Sequence, residues 1–271
     1  MNKITLIGID TAKQVFHLVG VDGHGHYVWR KQVSRRRLLS TLAQIECCEV
    51  VLEACGASHH WARSIKALGH TVRLIAPQHV KPYRRGQKND YRDAEAIIAA
   101  ALSPGMRFVG VKQVEQQAEQ ALHRVRSRLM SQRNAAANEL RGLLGEYGVV
   151  FGCGLKSLRD GARCFVEMEE AHTLGLVELV NDVLEEISVL QARMGHYERL
   201  IEQRVRADEI SRRLREELRG VGKLGASALR VKVADVRDFG NGRHFCCLYR
   251  PGPGSFGHRW HGAHWPPQAW S

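Results

Sequence analysis

The sequence lacks the features that mark a membrane-spanning or secreted protein. No stretch approaches the roughly 18 apolar residues that cross a bilayer, and the N-terminus has no signal-peptide pattern. None of the seven cysteines forms a CxxC pair, so the sequence supports neither a zinc site nor a disulfide framework. We therefore expect a cytoplasmic protein with reduced thiols and no membrane partner.

Negative charge is also scarce relative to positive charge. The 271 residues include 40 Lys and Arg but only 28 Asp and Glu, which gives a net charge of +12. Such an excess favours a polyanionic partner, and nucleic acid is the commonest one. The chain is long enough for one large or two modest domains, each with its own core.

The first 112 residues alternate between short apolar runs and amphipathic segments. Three strand candidates (ITLIGID, HLVGVD and YVWRKQV) come first, and helix and strand candidates then alternate as far as the helix DAEAIIAAAL. A meander of three strands followed by alternating helices and strands is the order of an RNase H-like fold. We therefore predict an α/β, RNase H-like catalytic domain over residues 1–112.

Four acidic residues in this region occupy positions typical of a metal-dependent active site. Asp10 and Glu53 each end an apolar run, so both carboxylates should lie at the carboxyl ends of buried strands. Asp90 and Asp93 are three residues apart at the start of a helix, which places them on one face. Four carboxylates suit a pair of Mg²⁺ ions, which can stabilise both oxygens of a phosphodiester displacement. We predict that all four are metal ligands and catalytic residues for phosphoryl transfer.

Each acid also has a structural alternative. Asp10 could cap the segment that follows it, and Glu53 could be half-buried beside an arginine. Asp93 could be a helix N-cap, where Asp is common. The order and context of the four acids together favour the metal site.

Basic residues come directly before the acidic helix. Arg84, Arg85 and Lys88 flank the proposed site, so we predict that they hold the scissile nucleic-acid backbone and that binding weakens steeply with salt. A solvated loop is the alternative for any one of them.

A second nucleic-acid signal lies at residues 218–232, LRGVGKLGASALRVK. This segment resembles a helix-hairpin-helix, in which a Gly-rich turn and the next helix N-terminus bind a DNA phosphate. The candidate contacts are Gly220, Gly222, Lys223 and Gly225. A plain helix-loop-helix is the alternative, because Gly and Ala also mark tight packing.

Between these regions, residues 113–217 have a helical pattern. We predict helices over residues 115–144 and 165–218, separated by a Gly-punctuated connection (EYGVVFGCGLKSLRDGARC). Two long amphipathic helices favour a helical hairpin or coiled coil used for homo-oligomerisation or as a spacer. An ordinary bundle is the alternative, because the heptads are irregular.

Several of these segments together resemble the DEDD transposases of the insertion-sequence-110 family, most closely its 1111-type branch. They are MNKITLIGIDTAKQVFHL, VLEACGASHHWA and GQKNDYRDAEAI, while LRGVGKLGASAL resembles the start of the family's C-terminal domain. The resemblance covers roughly residues 1–245 and implies a fold similar to Holliday-junction resolvases. The family's four acids fall on Asp10, Glu53, Asp90 and Asp93.

The resemblance has further implications for partners and chemistry. It implies DNA as the substrate, at the insertion-sequence ends and the target, and a noncoding RNA that guides target choice. It also implies a C-terminal serine nucleophile that joins covalently to DNA. None of these follows from composition or spacing.

The sequence departs from the family after residue 245. Residues 246–271 are crowded with Trp, His, Gly and Pro and have no periodic apolar face, so we expect an aberrant, disordered tail. A frameshift would explain it, because permitted synonymous codons allow the tail to be read one base later as AAYIGLVPGASVTGG. Residues 218–245 would then be a partial C-terminal domain, and the serine nucleophile would be absent.

The sequence therefore predicts a transposase or recombinase that binds DNA and uses Mg²⁺ for strand cleavage and exchange. Loss of the serine segment would leave it unable to exchange strands fully. One alternative is a metal-dependent nuclease of the Holliday-junction type, which needs the acids but no serine. The other is a non-catalytic nucleic-acid-binding remnant.

Overall fold

The computed structural model describes residues 3–84 and 90–233, apart from the side chains of Asp90 and Glu170. The strands of this part are β1 (Leu6–Thr11), β2 (Val15–Val21), β3 (Tyr27–Ser34), β4 (Glu49–Glu53), β5 (Thr71–Ile75) and β6 (Phe108–Val109). The first four helices are α1 (Leu38–Leu42), α2 (Ser58–Lys66), α3 (Pro77–Val80) and α4 (Asp90–Ala101). The later helices are α5 (Val114–Gly145), α6 (Leu155–Val166), α7 (Glu169–Thr173), α8 (Leu176–Ala207), α9 (Glu209–Glu217) and α10 (Lys223–Lys232).

The described strands form one mixed sheet in the order β3-β2-β1-β4-β5-β6. The first three strands pair antiparallel as a meander, and β4 and β5 then add in parallel beside β1. The short β6, which the sequence analysis did not predict, closes the edge antiparallel to β5. The mixed α/β architecture is confirmed, and this order is consistent with an RNase H-like N-terminal domain.

Helices cover both faces of the sheet, which explains why β1 reads as a nearly continuous apolar run. Side chains of a strand alternate between the two faces. Ile7 and Ile9 pack into a core that includes α1 and α2, whereas Leu6 packs with α3 and α4 on the other face. The central strand is therefore buried on both sides, and its first polar residue is Asp10 at the carboxyl end.

A glycine allows α4 to approach β1 closely. A methyl group added at Gly8 would lie 2.6 Å from the carbonyl oxygen of Ala94 and 2.6 Å from Cγ1 of Ile98. These contacts are too short for any side chain, so only glycine fits between the strand and the helix. Asp93 precedes Ala94 on this helix, so the contact also sets the position of its carboxylate.

The two 32-residue helices α5 and α8 pack against each other along the molecule. Arg126 on α5 bonds Glu198 on α8, and Arg133 further along α5 contacts the earlier Met194, so the helices run antiparallel. The predicted pair of long helices is confirmed in outline. The predicted connection between them was wrong, because its later part forms α6. That helix buries Leu158, Ala162 and Phe165, an apolar spacing of about one turn that the neighbouring glycines obscured.

The predicted second helix, over residues 165–218, is also divided. Gly175, with a φ of 66°, precedes α8, and Asp208 separates α8 from α9 by capping α9 through a 2.8 Å bond from the Ser211 amide. The α9 and α10 helices follow each other across a short turn at residues 218–222. Of the candidate phosphate contacts, Lys223 begins α10 and Gly225 lies in its first turn.

The start of α5 holds α10 in place through polar contacts. The Gln116 side-chain amide donates to the carbonyls of Arg230 and Val233, both at 3.4 Å. The buried Ser227 hydroxyl donates to Glu119 and lies 2.7 Å from His123 Nε2. None of the helices in the described part of the chain is both long and apolar enough to cross a bilayer.

Substituting Gly8 with alanine tests the packing of α4 on β1. We expect Gly8→Ala to lower the free energy of unfolding by about 1–3 kcal/mol, the usual effect of overpacking a core, because the new methyl must push the helix away. Urea unfolding measures the change. Gly23→Ala is the matched control, since its methyl would meet only Thr5 Cγ2 at 3.9 Å. Equal stability of the two variants would contradict the close approach.

Candidate active site

Neighbouring strand ends bring Asp10 and Glu53 to one edge of the sheet. The parallel strands β1 and β4 pair with Ile9 opposite Leu52, so Asp10 and Glu53 are the next residues on adjacent strands. Asp93 comes to the same edge from α4, which packs on β1. The structure thus brings together three of the four predicted acids, from two strands and a helix.

Burial and like charge raise the pKa of Asp10. Burial is the largest cause, and the negative charges of Asp93 and Glu53 add to it, while Arg84 and His17 partly oppose it. Asp10 is therefore close enough to Glu53 and Asp93 for their charges to disfavour its ionised form, a penalty that a nearby cation reduces.

Arg84 supplies a cation at this site. Its Nη2 donates to Glu53 Oε2 at 2.8 Å, and its Nε lies 3.1 Å from Asp93 Oδ1. The two carboxylates are largely enclosed, with 14% and 20% of their side chains exposed, whereas Arg84 is 45% exposed. The guanidinium therefore bridges Glu53 and Asp93 on the side that faces solvent.

The donor set is chemically suited to a hard divalent cation, because it consists of carboxylates that repel each other. Among the residues that the structure describes, no three His, Cys, Asp or Glu side chains form a group that could hold a metal ion. The guanidinium of Arg84 bonds oxygens of two of the candidate ligands. Asp90 begins α4 one turn before Asp93, but its side chain lies outside the described residues.

The other predicted contacts have different outcomes. Arg85 and Lys88 lie outside the described residues, as do the whole of residues 234–271, including the predicted tail. Arg84 is an ion-pair partner of the acids, so Glu53 lies half-buried beside an arginine, as the structural alternative for that residue expected.

In the turn of the proposed helix-hairpin-helix, Gly220 has a φ of 80°, and Gly222 directly precedes α10. Lys223 begins that helix, and its ammonium is 2.7 Å from Glu202 on α8. The lysine therefore already has a carboxylate partner within the fold. Phosphate contacts from this turn stay a prediction.

Comparisons with known proteins agree on one family. A sequence model of the DEDD transposases of IS110, described as Transposase, matches residues 7–149. The chain is 44% identical over 248 residues to a probable family 20 transposase of Pseudomonas aeruginosa, across 90% of this chain and 72% of that protein. The transposase for insertion sequence element IS1111A of Coxiella burnetii is 38% identical over 244 residues, across 90% and 67%. The transposase for insertion sequence element IS1328 of Yersinia enterocolitica is 36% identical over 247 residues, across 90% and 72%.

Replacing Asp10 with asparagine tests the repulsion among the acids. The raised pKa means that the folded protein binds more protons than the unfolded chain between the two pKa values, so stability falls as pH rises through that window. Metal-free Asp10→Asn should therefore be more stable than wild type at pH 7. The difference should shrink toward pH 3.8, the ordinary pKa of Asp. Urea unfolding at several pH values measures it.

Glu216→Gln is the control for this experiment, because Glu216 is exposed on α9, away from the acids. It should shift stability little at any of these pH values. An Asp10→Asn protein that is no more stable than wild type at pH 7 would refute the electrostatic strain.

Removing Arg84 should strengthen metal binding. The guanidinium competes for oxygens of Glu53 and Asp93, and exposed ion pairs contribute about 0.2–1 kcal/mol each, so loss of both in Arg84→Gln should tighten Mn²⁺ or Mg²⁺ binding by about 2- to 30-fold. Isothermal titration calorimetry measures the affinity. Arg30→Gln is the matched control, because Arg30 makes a 2.7 Å ion pair with Glu95 on the same helix. Equal or weaker metal binding by Arg84→Gln would show that Arg84 does not compete with the metal.

Proposed function

Because the chain belongs to the DEDD transposases of insertion sequences, we propose that its sheet domain is the Mg²⁺-dependent DNA-cleaving part of a transposase. The relatives are named as transposases, and the role that this name describes is DNA transposition. The aligned part spans 72% and 67% of the first two relatives, so substrates and partners of the whole protein are part of the proposal.

The observation that carries this proposal is the meeting of three carboxylates at the end of β1. Asp10, Glu53 and Asp93 come from sequence positions up to 83 residues apart, yet the charges of Glu53 and Asp93 both raise the pKa of Asp10. Arg84 pairs with Glu53 and Asp93, whereas Asp10 keeps a raised pKa despite that cation. A divalent cation at this strand end would relieve the penalty on Asp10.

In this proposal Asp10, Glu53, Asp90 and Asp93 hold two Mg²⁺ ions. When bound, the ions would stabilise the attacking and leaving oxygens of a phosphodiester displacement. The enclosed position of Glu53 and Asp93 fixes their oxygens before the metal arrives. Before a metal binds, Arg84 holds Glu53 and Asp93 in place. Once metal binding has released Arg84, its exposed guanidinium can bind a DNA phosphate, as can Arg85 and Lys88 if they lie beside it.

The remaining segments have supporting roles in the proposal. The RNase H-like catalytic domain comprises residues 1–112, and residues 113–217 mediate homo-oligomerisation through the long helices. The exposed Leu179 and Val189 on α8 support this, since 38% and 49% of their surfaces remain open to a partner. Residues 218–245 form a partial C-terminal domain whose helix-hairpin-helix contacts the DNA backbone, and residues 246–271 are the aberrant tail.

Two further expectations rest on the family alone. A noncoding RNA would select the target, and a serine on the intact C-terminal segment would join covalently to DNA. The basic charge of this chain supports nucleic acid in general but does not distinguish RNA from DNA.

The test is strand cleavage of a labelled four-way DNA junction by the purified chain with Mg²⁺. Asp10→Asn, Glu53→Gln and Asp93→Asn should each reduce the cleavage rate by about 100-fold or more, because each removes a charge that the transition state needs. Glu216→Gln should keep the wild-type rate. EDTA should abolish cleavage by every variant.

The outcomes also separate the alternatives. Metal-dependent cleavage without a covalent protein–DNA adduct would favour the junction-nuclease activity, whereas an adduct would show that a serine nucleophile is present in this chain. DNA binding with no cleavage at any metal concentration would refute the catalytic proposal and leave the binding remnant.

A further inference from the structure

A second charged site lies where the sheet domain meets the long helices. Its side chains, here called the basic cluster, are the neutral imidazole of His59 and the cations of Arg63, Lys112, Arg124 and Lys232. They come from α2, the segment just before α5, α5 itself and the end of α10. The fold therefore gathers them from four separate segments.

Backbone contacts fix the centre of the basic cluster. Arg63 Nη1 donates to the Lys112 carbonyl, and the Lys112 amide donates to His59 Nδ1 at 3.2 Å. Because Nδ1 accepts this bond, the proton of the neutral imidazole is on Nε2. The ring thus keeps an N–H donor, and Lys112 is held directly against α2.

The contact between α5 and α10 adds the remaining charge. Gln116, one turn after Lys112, bonds the carbonyls of Arg230 and Val233, which flank Lys232. Arg124 follows on α5 and is exposed, while Arg63 and Lys112 are half-buried. The positive charges are therefore partly desolvated but open to solvent on one side.

These groups repel one another. The pKa of His59 is lowered to about 4 by burial and by Lys112, Arg63 and Arg124, while burial, Arg124 and Lys232 lower the pKa of Lys112. Within residues 3–84 and 90–233, no carboxylate makes an ion pair with Arg63, Lys112 or Arg124. Crowding these three cations together is unfavourable in the free protein, and an anion that enters the site would reduce that penalty.

We propose that the basic cluster binds a backbone phosphate of nucleic acid. Arg and Lys are the usual phosphate ligands, and two arginines, a lysine and a ring N–H offer enough donors for a phosphate's oxygens. This proposal rests on the proposed function, because it requires nucleic acid as the substrate or guide. It adds a second nucleic-acid contact, separate from the acidic residues at the end of β1.

The distance between the two sites suits one bound strand. His59 is six residues after Glu53, so their Cα atoms are separated by at most about 20 Å. At about 3.4 Å per nucleotide, that span corresponds to roughly six nucleotides of a strand. A short duplex is therefore long enough to reach from the acidic residues at the end of β1 to the basic cluster.

The test compares two double variants that remove the same charge. Lys112→Gln/Arg124→Gln removes two cations of the basic cluster. Lys66→Gln/Arg128→Gln removes two exposed cations that lie outside the basic cluster, on α2 and α5, and serves as the control. Binding is measured by fluorescence anisotropy in EDTA, with a 20-base-pair DNA duplex and a single-stranded RNA of 20 nucleotides, at several salt concentrations.

The cluster variant should weaken binding by about five- to ten-fold near physiological salt. It should also lower the slope of log K against log salt by about 1, the value for one lost phosphate contact on duplex DNA. The control variant should change the affinity and the salt slope by less than half as much. Weaker binding of DNA alone assigns the site to DNA, and weaker binding of RNA alone assigns it to RNA. Weaker binding of both shows that the site binds the phosphate that DNA and RNA share.

An equal effect of the two double variants, or none, would overturn the proposal. Thermal unfolding without nucleic acid shows whether the cluster variant folds, and relief of repulsion should leave its midpoint unchanged or higher. Should that variant unfold, Arg124→Gln alone replaces it, because this side chain is exposed; it should then weaken binding at least two-fold, and an unchanged affinity would overturn the proposal. The measurement uses EDTA, so failure of DNA cleavage would reject the proposed function without affecting this result.

Discussion

The close approach of α4 to β1 is the constraint on which the acidic site depends. Glycine at position 8 leaves room for the Ala94 carbonyl and the Ile98 side chain to lie directly on the central strand. The neighbouring residue Asp93 is thereby brought to the strand end where Asp10 emerges. Because interiors are close-packed, a displacement of the helix by even one methyl group would be transmitted to that carboxylate. The packing of α4 on β1 therefore also determines the geometry of the acidic site.

That packing creates a group of like charges that needs an opposite charge. Arg84 meets this need for Glu53 and Asp93, and it does so from a partly exposed position, where an ion pair is weak and exchangeable. A buried arginine would hold the acids too strongly for a metal to displace it. The basic cluster has the reverse arrangement, since its cations are crowded and an incoming anion would relieve them. Both sites are unfavourable when empty of their counter-charge, which is typical of binding sites rather than of structural ion pairs.

Local sequence signals predicted the first five strands, because most of them are short apolar runs and β1 is buried on both faces, whereas the two-residue β6 is too short to give such a signal. The positions of Asp10 and Glu53 followed from the same signals, since parallel neighbours end at one edge. An arginine beside Glu53 was one of the alternatives, but the identity of that arginine and its second contact, with Asp93, depend on how the chain folds back before α4. The α6 helix was missed since its glycines outweighed a weak apolar spacing. The basic cluster joins residues from 59 to 232, and only the tertiary packing of α10 on α5 brings them together.

That packing rests on a buried polar network whose protons can be assigned. The Ser227 hydroxyl has one proton and gives it to Glu119, so His123 Nε2 must donate to the same oxygen. Burial and the charge of Arg126 lower the pKa of His123 to about 4, which keeps the ring neutral at pH 7 and leaves this pattern of donors intact. A satisfied buried network is specific, because loss of any member leaves an unpaired polar group that costs about 1–3 kcal/mol. The network therefore fixes the register of α10 on α5, and through that register it sets where Lys232 lies beside Lys112.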